Sequence, residues 1–381
     1  MREVSIVSIG QIPVEKKSSL NLRSMGASAI ANALANIDPE QVDAVFAGNM
    51  LSDELQGQKH LSALIADTAG LRGIEALDVN AAMASGAASL RMAYLAVASG
   101  EADLAVAVGV EKMSDGVPTA ALAKALDAEN DVADGATMIS KNADLLRQYL
   151  KHFDVPEDAM ENFAVNAHRN AKNNPNALFF GKSVTPRMVR KSRIVHHPLK
   201  LMDCSPISDG AAAVVLAPTQ DARAFSDKTI RILASSVATD RFSLNQRKNP
   251  LWLEGAYLSS QKAFRQANVN LNDLSLFEVH DAFSIMACLQ LEAVGFSKPG
   301  EGWQLAKENK IRLNGKIPIS TFGGLKARGH PIGASGLYQA AEIYLQLTQQ
   351  ADKNQIKRPK VAMMQSIGGA ATTVISHIFG N

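Results

Sequence analysis

Cysteine, aromatic residues and an excess of either charge are all scarce in this chain. Its 381 residues include only two cysteines, Cys204 and Cys288, which are too few and too isolated for a disulfide framework or a zinc site. Lysine and arginine together number 39 against 37 acidic residues, for a net charge of +2. A general nucleic-acid-binding protein carries a large basic surplus, so this balance argues against that class.

Long apolar runs are also missing. No stretch reaches the ~18 uncharged apolar residues that a membrane-spanning helix needs. The N-terminal residues MREVSIVSIGQIPVEKK form a short strand-like run and differ from a signal peptide, which joins a charged start to a long apolar core. With 46% hydrophobic and 20% charged residues, the composition indicates a cytoplasmic α/β protein that is long enough for two domains.

Alanine and glycine dominate residues 78–114. Small residues cluster over 81–86 and lead into a run with helical spacing of apolar side chains, which Ser99-Gly100 ends. The fully apolar stretch Leu104–Val108 follows and ends at Gly109. A helix followed by an uninterrupted apolar strand is typical of a central strand in a sheet that is covered on both faces.

The same order of features returns near the C-terminus. The glycine-rich segment 329–336 opens a helical run that continues to Leu347, and the apolar stretch Val361–Met364 then meets a glycine turn at Gly368-Gly369. This repetition predicts a duplicated α/β unit. On pattern alone, two unrelated α/β stretches remain the alternative.

The segment 117–200 has a different character. It is polar, it is helix-forming over 143–153 and 156–170, and it ends in the basic run KSVTPRMVRKSRIVHHPLK. We interpret it as a loop domain inserted into the first half of the chain. The predicted division is an N-terminal half over 1–218, which contains this insertion at about 117–200, and a C-terminal half over 219–381.

Six segments, in order along the chain, resemble the motifs of the thiolase family, and of its archaeal-type and sterol-carrier-protein-type members in particular. They are VNAAMASGAASLRMAYLAVASGEADLAVAVGVEKMSD, HRNAKNNPNALF, DCSPISDGAAAVVL, FEVHDAF, GGLKARGHPIGASG and QSIGGA. The resemblance covers nearly the whole chain. It implies a thiolase-like fold with duplicated βαβαβαββ halves, stacked in a five-layered α/β/α/β/α body with the loop domain over the entrance to the site.

Thiolases exchange an acyl group between coenzyme A and a cysteine, and they make or break a carbon–carbon bond beside a thioester. The resemblance implies that His330 activates the nucleophile and that His280 and His330 together hold the enolate oxygen. It also implies that the backbone N–H groups of Met83 and Gly368 form a second oxyanion hole. A structural role for His330 in its loop and an N-cap role for Asp281 are the alternatives.

Met83 departs from the family pattern, because it occupies the place of the catalytic cysteine. A thiolate at a helix N-terminus is stabilised by the helix dipole, whereas a thioether has no proton to lose. Acylation of the thioether would give a sulfonium, a far better leaving group than a thiolate, so we expect no acyl-enzyme here. Ser85 is the alternative nucleophile, although its side chain is expected to point elsewhere. Cys204 and Cys288 match structural positions.

Ser366 is a second departure. Many thiolases carry at this position a cysteine that shuttles the proton of the attacking acetyl group, and a serine hydroxyl cannot act as that base at neutral pH. The archaeal-type relatives vary here, so this change is the smaller of the two. Together the two changes remove both thiols from the centre and leave both histidines in place.

Coenzyme A carries three phosphoryl groups, which basic side chains can bind. For any one residue, the alternative is an ordinary solvent-exposed charge with no ligand. The sequence suggests two basic stretches for this docking surface: Arg187, Arg190, Lys191 and Arg193, and then Arg241, Arg247 and Lys248. Coenzyme A thioesters are therefore expected as substrate or ligand, with no metal and no permanently bound cofactor.

Two functions follow from these features. The first is a thiolase-like acyl-CoA acyltransferase of the acetyl-CoA/acetoacetyl-CoA type, in which direct attack or decarboxylation replaces the covalent step. The second is a catalytically silent, acyl-CoA-binding or scaffold subunit of a multi-component acyltransferase. The resemblance further implies a homodimer or tetramer and allows a small zinc-ribbon/OB-fold partner protein. Whether Met83 is natural or a deliberate replacement remains open from the sequence.

Overall fold

The computed structural model describes residues 1–381. Its eleven strands are β1 (Val4–Gln11), β2 (Ala44–Gly48), β3 (Glu75–Val79), β4 (Ala105–Lys112), β5 (Ile194–His196), β6 (Leu199–Lys200), β7 (Asp209–Pro218), β8 (Ile230–Thr239), β9 (Leu276–Glu278), β10 (Val361–Gly368) and β11 (Thr373–Gly380).

Thirteen α-helices connect and cover these strands. They are α1 (Leu22–Ala33), α2 (Ser52–Leu55), α3 (Leu61–Thr68), α4 (Ser85–Ser99), α5 (Pro118–Ala123), α6 (Met138–His152), α7 (Glu161–Ala171), α8 (Pro186–Lys191), α9 (Ala222–Phe225), α10 (Glu254–Ala267), α11 (Ser284–Val294), α12 (Gly302–Lys307) and α13 (Ser335–Leu347). None of them is long and apolar enough to cross a membrane.

The main sheet contains the same strand order twice. Its first part runs β3-β2-β4-β7-β1, in which β7 is antiparallel to both of its neighbours. The second part runs β8-β11-β10-β9, with β11 antiparallel to its neighbours, and a parallel bridge from Phe277 to Ile319 extends it beyond β9. Strands β1 and β8 pair where the two parts meet. This order confirms the predicted duplication.

Side chains alternate along the strands, so the two faces of the first part of the sheet contact two different hydrophobic cores. Along β4, Val106 and Val108 join the cluster beneath α1 and α3, whereas Ala105 and Ala107 join the cluster that holds α4 and α13. That second cluster also receives Ala362 and Met364 from β10, so α4 and α13 lie between the two halves. Helices α10 and α11 cover the opposite face of the second part. The body is therefore five-layered, as predicted.

Two central strands are longer than the sequence suggests, and a glycine within one of them allows close packing. The sequence suggests that the first central strand stops at Gly109, yet β4 continues to Lys112, and β10 likewise continues beyond Met364 to Gly368. A Cβ atom added at Gly109 would lie 2.5 Å from the carbonyl oxygen of Gly333. Gly109 is thus the point where the strand passes under the turn before α13, not the end of the strand.

The segment between β4 and β7 contributes no strand to the main sheet. It contains α5–α8 and the small β5–β6 ribbon. Three asparagines of this segment donate side-chain hydrogen bonds to backbone carbonyls of 319–322: Asn166 to Ile319, Asn170 to Ser320 and Asn174 to Phe322. These bonds attach the segment to the loop that leads toward His330.

Candidate active site

Helices α4 and α13 begin in backbone contact with each other. A Cβ atom at Gly86 would lie 2.6 Å from the carbonyl oxygen of Gly333, and one at Gly336 would lie 2.4 Å from the amide nitrogen of Ala87. Only glycine allows this approach, because any larger residue would overlap backbone atoms that cannot move aside. The contact places the two turns that precede these helices, and their residues Met83 and His330, at the junction of the two halves.

The turn before α4 is held by the hydroxyl group of Ser85. This hydroxyl donates to the Ala82 carbonyl at 2.6 Å and accepts from the Ala81 amide at 3.0 Å. Ala82 has a left-handed backbone conformation, with φ of 52°. The Ser85 side chain is fully buried and lies outside the cavity described below. Its hydroxyl is engaged in the turn, which argues against Ser85 as a substitute nucleophile.

Gly368 brings the end of β10 against the same turn. A Cβ atom at Gly368 would lie 2.2 Å from the carbonyl oxygen of Ala81. A backbone oxygen of this turn cannot shift far enough to admit a side chain, so the position requires glycine. The backbone of Gly368 therefore lies directly beside the turn that carries Met83.

His280 follows β9, and its backbone is fixed by Gln290 of α11. The side chain of Gln290 accepts from the His280 amide at 3.0 Å and donates to the His280 carbonyl at 2.9 Å. The imidazole ring meets that of His330 edge to face, with ring centroids 5.2 Å apart and an angle of 86° between the planes. Nδ1 of His280 is buried and has no hydrogen-bond partner.

His330 is held on both sides by serine hydroxyls. Its amide donates to Oγ of Ser208 at 2.9 Å, and its Nδ1 lies 2.7 Å from Oγ of Ser335. The Ser335 hydroxyl also lies 3.1 Å from the carbonyl oxygen of Pro331, which can only accept. With Ser335 donating to that carbonyl, His330 Nδ1 donates to Ser335. This tautomer leaves Nε2 of His330 with a free lone pair.

Burial keeps both imidazoles neutral. It lowers the pKa of His280 to about 3, with a further lowering by the neighbouring guanidinium of Arg328. It also lowers the pKa of His330 well below the ordinary histidine value, and His280 and Arg328 act in the same direction. A neutral imidazole has a lone pair on one nitrogen and an N–H donor on the other, so each ring can accept a proton and also donate a hydrogen bond. Its low pKa makes each ring a weak base while no ligand is bound.

Arg328 and its partners form a buried charged group behind the two histidines. Its guanidinium is fully buried, with Nε 3.3 Å from Glu342 and the group 4.7 Å from the Tyr338 ring centroid. Burial raises the pKa of Glu342 to about 8 and that of Glu278 to about 7, and Arg328 opposes both shifts. The sequence pattern does not indicate this group, because only the fold brings Glu278 of β9 to Arg328 and to Tyr338 and Glu342 of α13.

Both histidines and Met83 line one cavity of about 310 Å³. Four methionines contribute to its mostly apolar wall, and no acidic side chain does. The lining comprises Met83, Met113, Thr119, Leu122, Thr137, Met138, Ile139, Asn142, Arg193, Val195, Leu201, Cys204, Ser205, Pro206, Ile207, His280, Ala282, Phe283, Met286, His330, Ile332, Ile367, Gly369 and Ala370. The segment between β4 and β7 supplies one wall, and the junction of the two halves supplies the other.

Neither cysteine occupies the start of α4. Cys288 is fully buried on α11, with its sulfur 3.4 Å from the hydroxyl of Tyr149. Cys204 does line the cavity, which its sequence context did not indicate, and burial raises the pKa of its thiol to about 12. A thiol with so high a pKa remains protonated at neutral pH and is a poor nucleophile.

Ser366 and Asp281 are both buried near the cavity but do not line it. Ser366 lies within β10, and its hydroxyl has no hydrogen-bond partner. The N-cap position of α11 is Phe283, so the N-cap alternative for Asp281 is wrong. The carboxylate of Asp281 instead accepts from the amide of Leu325 at 2.6 Å and from Oγ of Ser320 at 3.1 Å. It therefore fixes the loop that precedes His330.

The basic side chains suggested for coenzyme A docking differ in whether they are free to bind a phosphate. Arg193 lines the cavity, whereas the guanidinium of Arg190 is 2.8 Å from Glu161. Arg247 is buried, with Nε 3.1 Å from Asp240 and two hydrogen bonds to the Arg241 carbonyl. An engaged, buried guanidinium cannot bind a phosphate from solvent, so we remove this residue from the docking surface. Four others are exposed: Arg187, Lys191, Arg241 and Lys248.

The fold and the sequence place the protein in a known family. Residues 4–197 match the model of the thiolase N-terminal domain, and residues 236–381 match that of the thiolase C-terminal domain-like family. The chain therefore belongs to the thiolase family.

Three known proteins illustrate this membership. The chain is 40% identical to an acetyl-CoA acetyltransferase of Methanothermobacter thermautotrophicus over 100% of both chains. It is 30% identical to the benzoylsuccinyl-CoA thiolase subunit BbsB of Thauera aromatica, over 97% of this chain and 95% of that protein. The solved Ltp2-ChsH2(DUF35) aldolase contains a chain of the same fold, with a TM-score of 0.85 and 22% identity over 99% of this chain and 97% of that one.

Proposed function

We propose that this protein acts on acyl-CoA thioesters at the carbon next to the carbonyl, through an enolate and without an acyl-enzyme. The observation that carries this proposal is the composition of the cavity. Two neutral imidazoles face each other there at 5.2 Å, and the start of α4 presents the thioether of Met83 instead of a thiol. This arrangement retains groups that can stabilise an enolate and lacks the group that would carry an acyl chain.

In the proposed reaction, Nε2 of His330 removes a proton from the α-carbon of the bound thioester. The electron pair of the broken C–H bond moves into the thioester, and the enolate oxygen receives a hydrogen bond from His280. The enolate carbon then attacks the carbonyl carbon of a second substrate, whose C=O π electrons move onto oxygen, and the resulting alkoxide takes the proton that His330 removed. In the reverse direction the same groups support cleavage of that carbon–carbon bond.

The backbone amides of Met83 and Gly368 are proposed as donors to the second oxygen that becomes negative. Backbone donors do not depend on the side chain, so replacement of cysteine by methionine leaves them in place. Direct addition of the enolate to a ketone or aldehyde then needs no nucleophilic side chain. The structural neighbour described as an aldolase is compatible with such a route on this fold.

We propose that coenzyme A docks along the outer side of the segment between β4 and β7. Arg193 lies on the cavity, and Arg187 and Lys191 are exposed nearby in sequence. No acidic residue occurs between Lys172 and Lys200. Three phosphoryl groups would meet a positive surface there, and the thioester arm would extend inward past Arg193.

Exchange of the α-protons of acetyl-CoA with solvent tests enolate formation directly. The protein is incubated with acetyl-CoA in D₂O, and loss of the methyl proton signal is followed by NMR. We expect exchange with the wild type and its loss in His330→Ala. Met113→Leu, which alters the same cavity wall without removing an imidazole, should retain it. Binding of acetyl-CoA without any exchange would contradict the proposal.

A second candidate function is that of a subunit that binds acyl-CoA and supports a catalytic partner. The observation that favours it is a set of three exposed apolar side chains, of which Ile194 lies in the basic segment and Leu201 and Ile207 line the cavity. Ile194 and Leu201 are 54% and 49% exposed, and Ile207 is 45% exposed. A small zinc-ribbon/OB-fold protein is the proposed partner, and the structural neighbour is itself a complex with a DUF35 protein. Coenzyme A binding without α-proton exchange would favour this function.

A homodimer is proposed through the outer edge of β3. This strand ends the first part of the sheet, and Leu77 on it is 48% exposed. An open strand edge with an exposed apolar side chain is prone to pair with another chain. Pairing of two such edges about a twofold axis would continue the sheet from one protomer into the other.

A further inference from the structure

Two polar atoms in the cavity wall are buried without a hydrogen-bond partner. They are Nδ1 of His280, at the proposed reacting end, and Oδ1 of Asn142 on α6. Buried polar atoms in folded proteins are nearly always paired with protein or water, and each exception calls for an explanation. Both residues also line the cavity, so a ligand bound there can supply the missing partner after a small rotation of the side chain.

The orientation of the Asn142 amide follows from its surroundings. Asn142 is 4% exposed, and its Nδ2 donates at 2.8 Å to the carbonyl oxygen of Met138 one helical turn earlier. Because a carbonyl can only accept, the nitrogen must be the atom that faces Met138. Oδ1 is therefore the atom without a partner, and an amide oxygen can only accept.

The position of Asn142 suits recognition of a ligand. Met138, Ile139 and Asn142 lie on one face of α6, and all three line the cavity. The start of α6 is fixed by reciprocal bonds between Thr137 and Ser140. Asn142 is thus a polar acceptor held on a capped helix within a mostly apolar wall, where a mismatched ligand would leave it unpaired.

We infer that Asn142 is a specificity-determining residue, whose Oδ1 accepts a hydrogen bond from an N–H or O–H group of the bound acyl-CoA. The inference rests on the proposed function, because it takes an acyl-CoA thioester as the ligand. Such a molecule offers two kinds of donor. One is an amide N–H of the pantetheine arm, and the other is a hydroxyl group on the acyl chain.

Asn142→Leu tests this inference, because leucine has a similar shape and removes the acceptor. Asn166→Leu is the matched control, since Asn166 is a buried asparagine on α7 that also has an unpartnered Oδ1 but lies outside the cavity. Affinities for acetyl-CoA, butanoyl-CoA and 3-hydroxybutanoyl-CoA are measured by isothermal titration calorimetry with the wild type and both variants. Melting temperatures of the ligand-free proteins are measured alongside.

We expect Asn142→Leu to weaken binding about tenfold, the effect of one lost hydrogen bond that leaves a buried donor unpaired. Equal weakening for all three thioesters identifies the pantetheine amide as the donor. Weakening for 3-hydroxybutanoyl-CoA alone identifies the acyl hydroxyl. The melting temperature of ligand-free Asn142→Leu should change little, because leucine removes an unpaired acceptor together with the one bond from Nδ2 to the Met138 carbonyl.

Unchanged affinities in Asn142→Leu would overturn the inference, and so would an equal loss in Asn166→Leu. If Asn142→Leu does not fold, Asn142→Ala makes the same comparison with less demand on packing. A wild-type protein that binds none of the three thioesters would instead refute the proposed function itself. The two failures are distinguishable, because thioester binding that is the same in the wild type and in Asn142→Leu refutes only the role of Asn142.

Discussion

The imidazole rings of His280 and His330 lie edge to face, with their centroids 5.2 Å apart, although 50 positions of sequence separate them. Each ring is fixed by a different neighbour. Gln290 holds the backbone of His280, whereas Ser335 bonds Nδ1 of His330. The pair is therefore set by the fold and does not depend on the residue at position 83.

Incubation with acetyl-CoA should leave the wild-type chain without a covalent acyl group. Met83 cannot form a stable acyl adduct, and burial raises the pKa of the Cys204 thiol to about 12. Intact-mass spectrometry checks this, and Met83→Cys should gain one acetyl group under the same conditions. An acetylated wild-type peptide containing Met83 or Cys204 would contradict the expectation.

Met83→Cys should raise the thiolysis of acetoacetyl-CoA by about 10² or more, because preorganised oxyanion donors contribute about 10² to 10³ each once a nucleophile is present. The rate is followed by the loss of acetoacetyl-CoA absorbance. Met113→Cys is the matched control, since it places a thiol on the same cavity wall but not at the start of α4. Comparable rates in the two variants would show that position 83 has no special role.

The double variant Met83→Cys/Ser366→Cys separates the two departures from the family pattern. If Ser366 limits proton transfer, the double variant should exceed Met83→Cys in rate. Equal rates would mean that a thiol at position 366 is not needed in this protein. Coenzyme A binding is measured for each variant, so that loss of binding is not mistaken for loss of chemistry.

The stability that His280 contributes should depend on pH with a definite sign. Its pKa is about 3 in the folded protein, below the ordinary value near 6.5. Between these values the unfolded chain binds a proton that the folded chain does not, so stability is lost as the pH falls below about 6.5. Urea unfolding of the wild type and His280→Gln at pH 5 to 7.5 checks this.

The difference in unfolding free energy between these two proteins should be nearly constant above about pH 7. Below about pH 6 it should shift against the wild type by about 1.4 kcal/mol per pH unit. Groups that are common to both proteins contribute equally and cancel. A difference that stays flat with pH would mean that the imidazole titrates normally in the folded state.

Gly368→Ala should lower the unfolding free energy by about 3 kcal/mol, because its Cβ would lie 2.2 Å from a backbone oxygen. Gly181→Ala is a useful comparison. Gly181 has φ of 72° and no neighbour within 4 Å of an added Cβ, so only backbone strain of about 1–2 kcal/mol is expected. Denaturant titration of both variants measures the difference, and equal losses would exclude the steric explanation.

Light scattering at micromolar concentration should give the mass of a dimer. Leu77→Asp places a charge on the exposed edge strand β3 and should shift the protein toward monomer. Ile194→Asp is the control, because Ile194 is similarly exposed but lies on the β5–β6 ribbon. A wild-type monomer, or a dimer disrupted only by Ile194→Asp, would refute the proposed interface.

Much of the architecture is predictable from the sequence because it rests on local patterns. The apolar runs and small-residue turns around Gly86 and Gly336 indicate buried strands and helices, and their repetition indicates the duplication that the sheet order confirms. The chemistry excluded by Met83 also follows from the sequence, since a thioether has no proton to lose in any fold.

Contacts between distant segments were decided only by the tertiary structure. The sequence pattern predicts that a strand ends at Gly109. In the structure the strand continues, and Gly109 is a packing site because Gly333 approaches it from the other half. The sequence pattern predicts that Arg247 is a solvent-exposed cation, but its guanidinium is buried and bonded to Asp240 and to a backbone carbonyl. Asn142 belongs to no motif, and the role that we propose for it rests on an unpaired amide oxygen in a residue of the cavity wall. A sequence pattern records the periodicity of a segment but not which backbone or side chain will approach it from elsewhere in the chain.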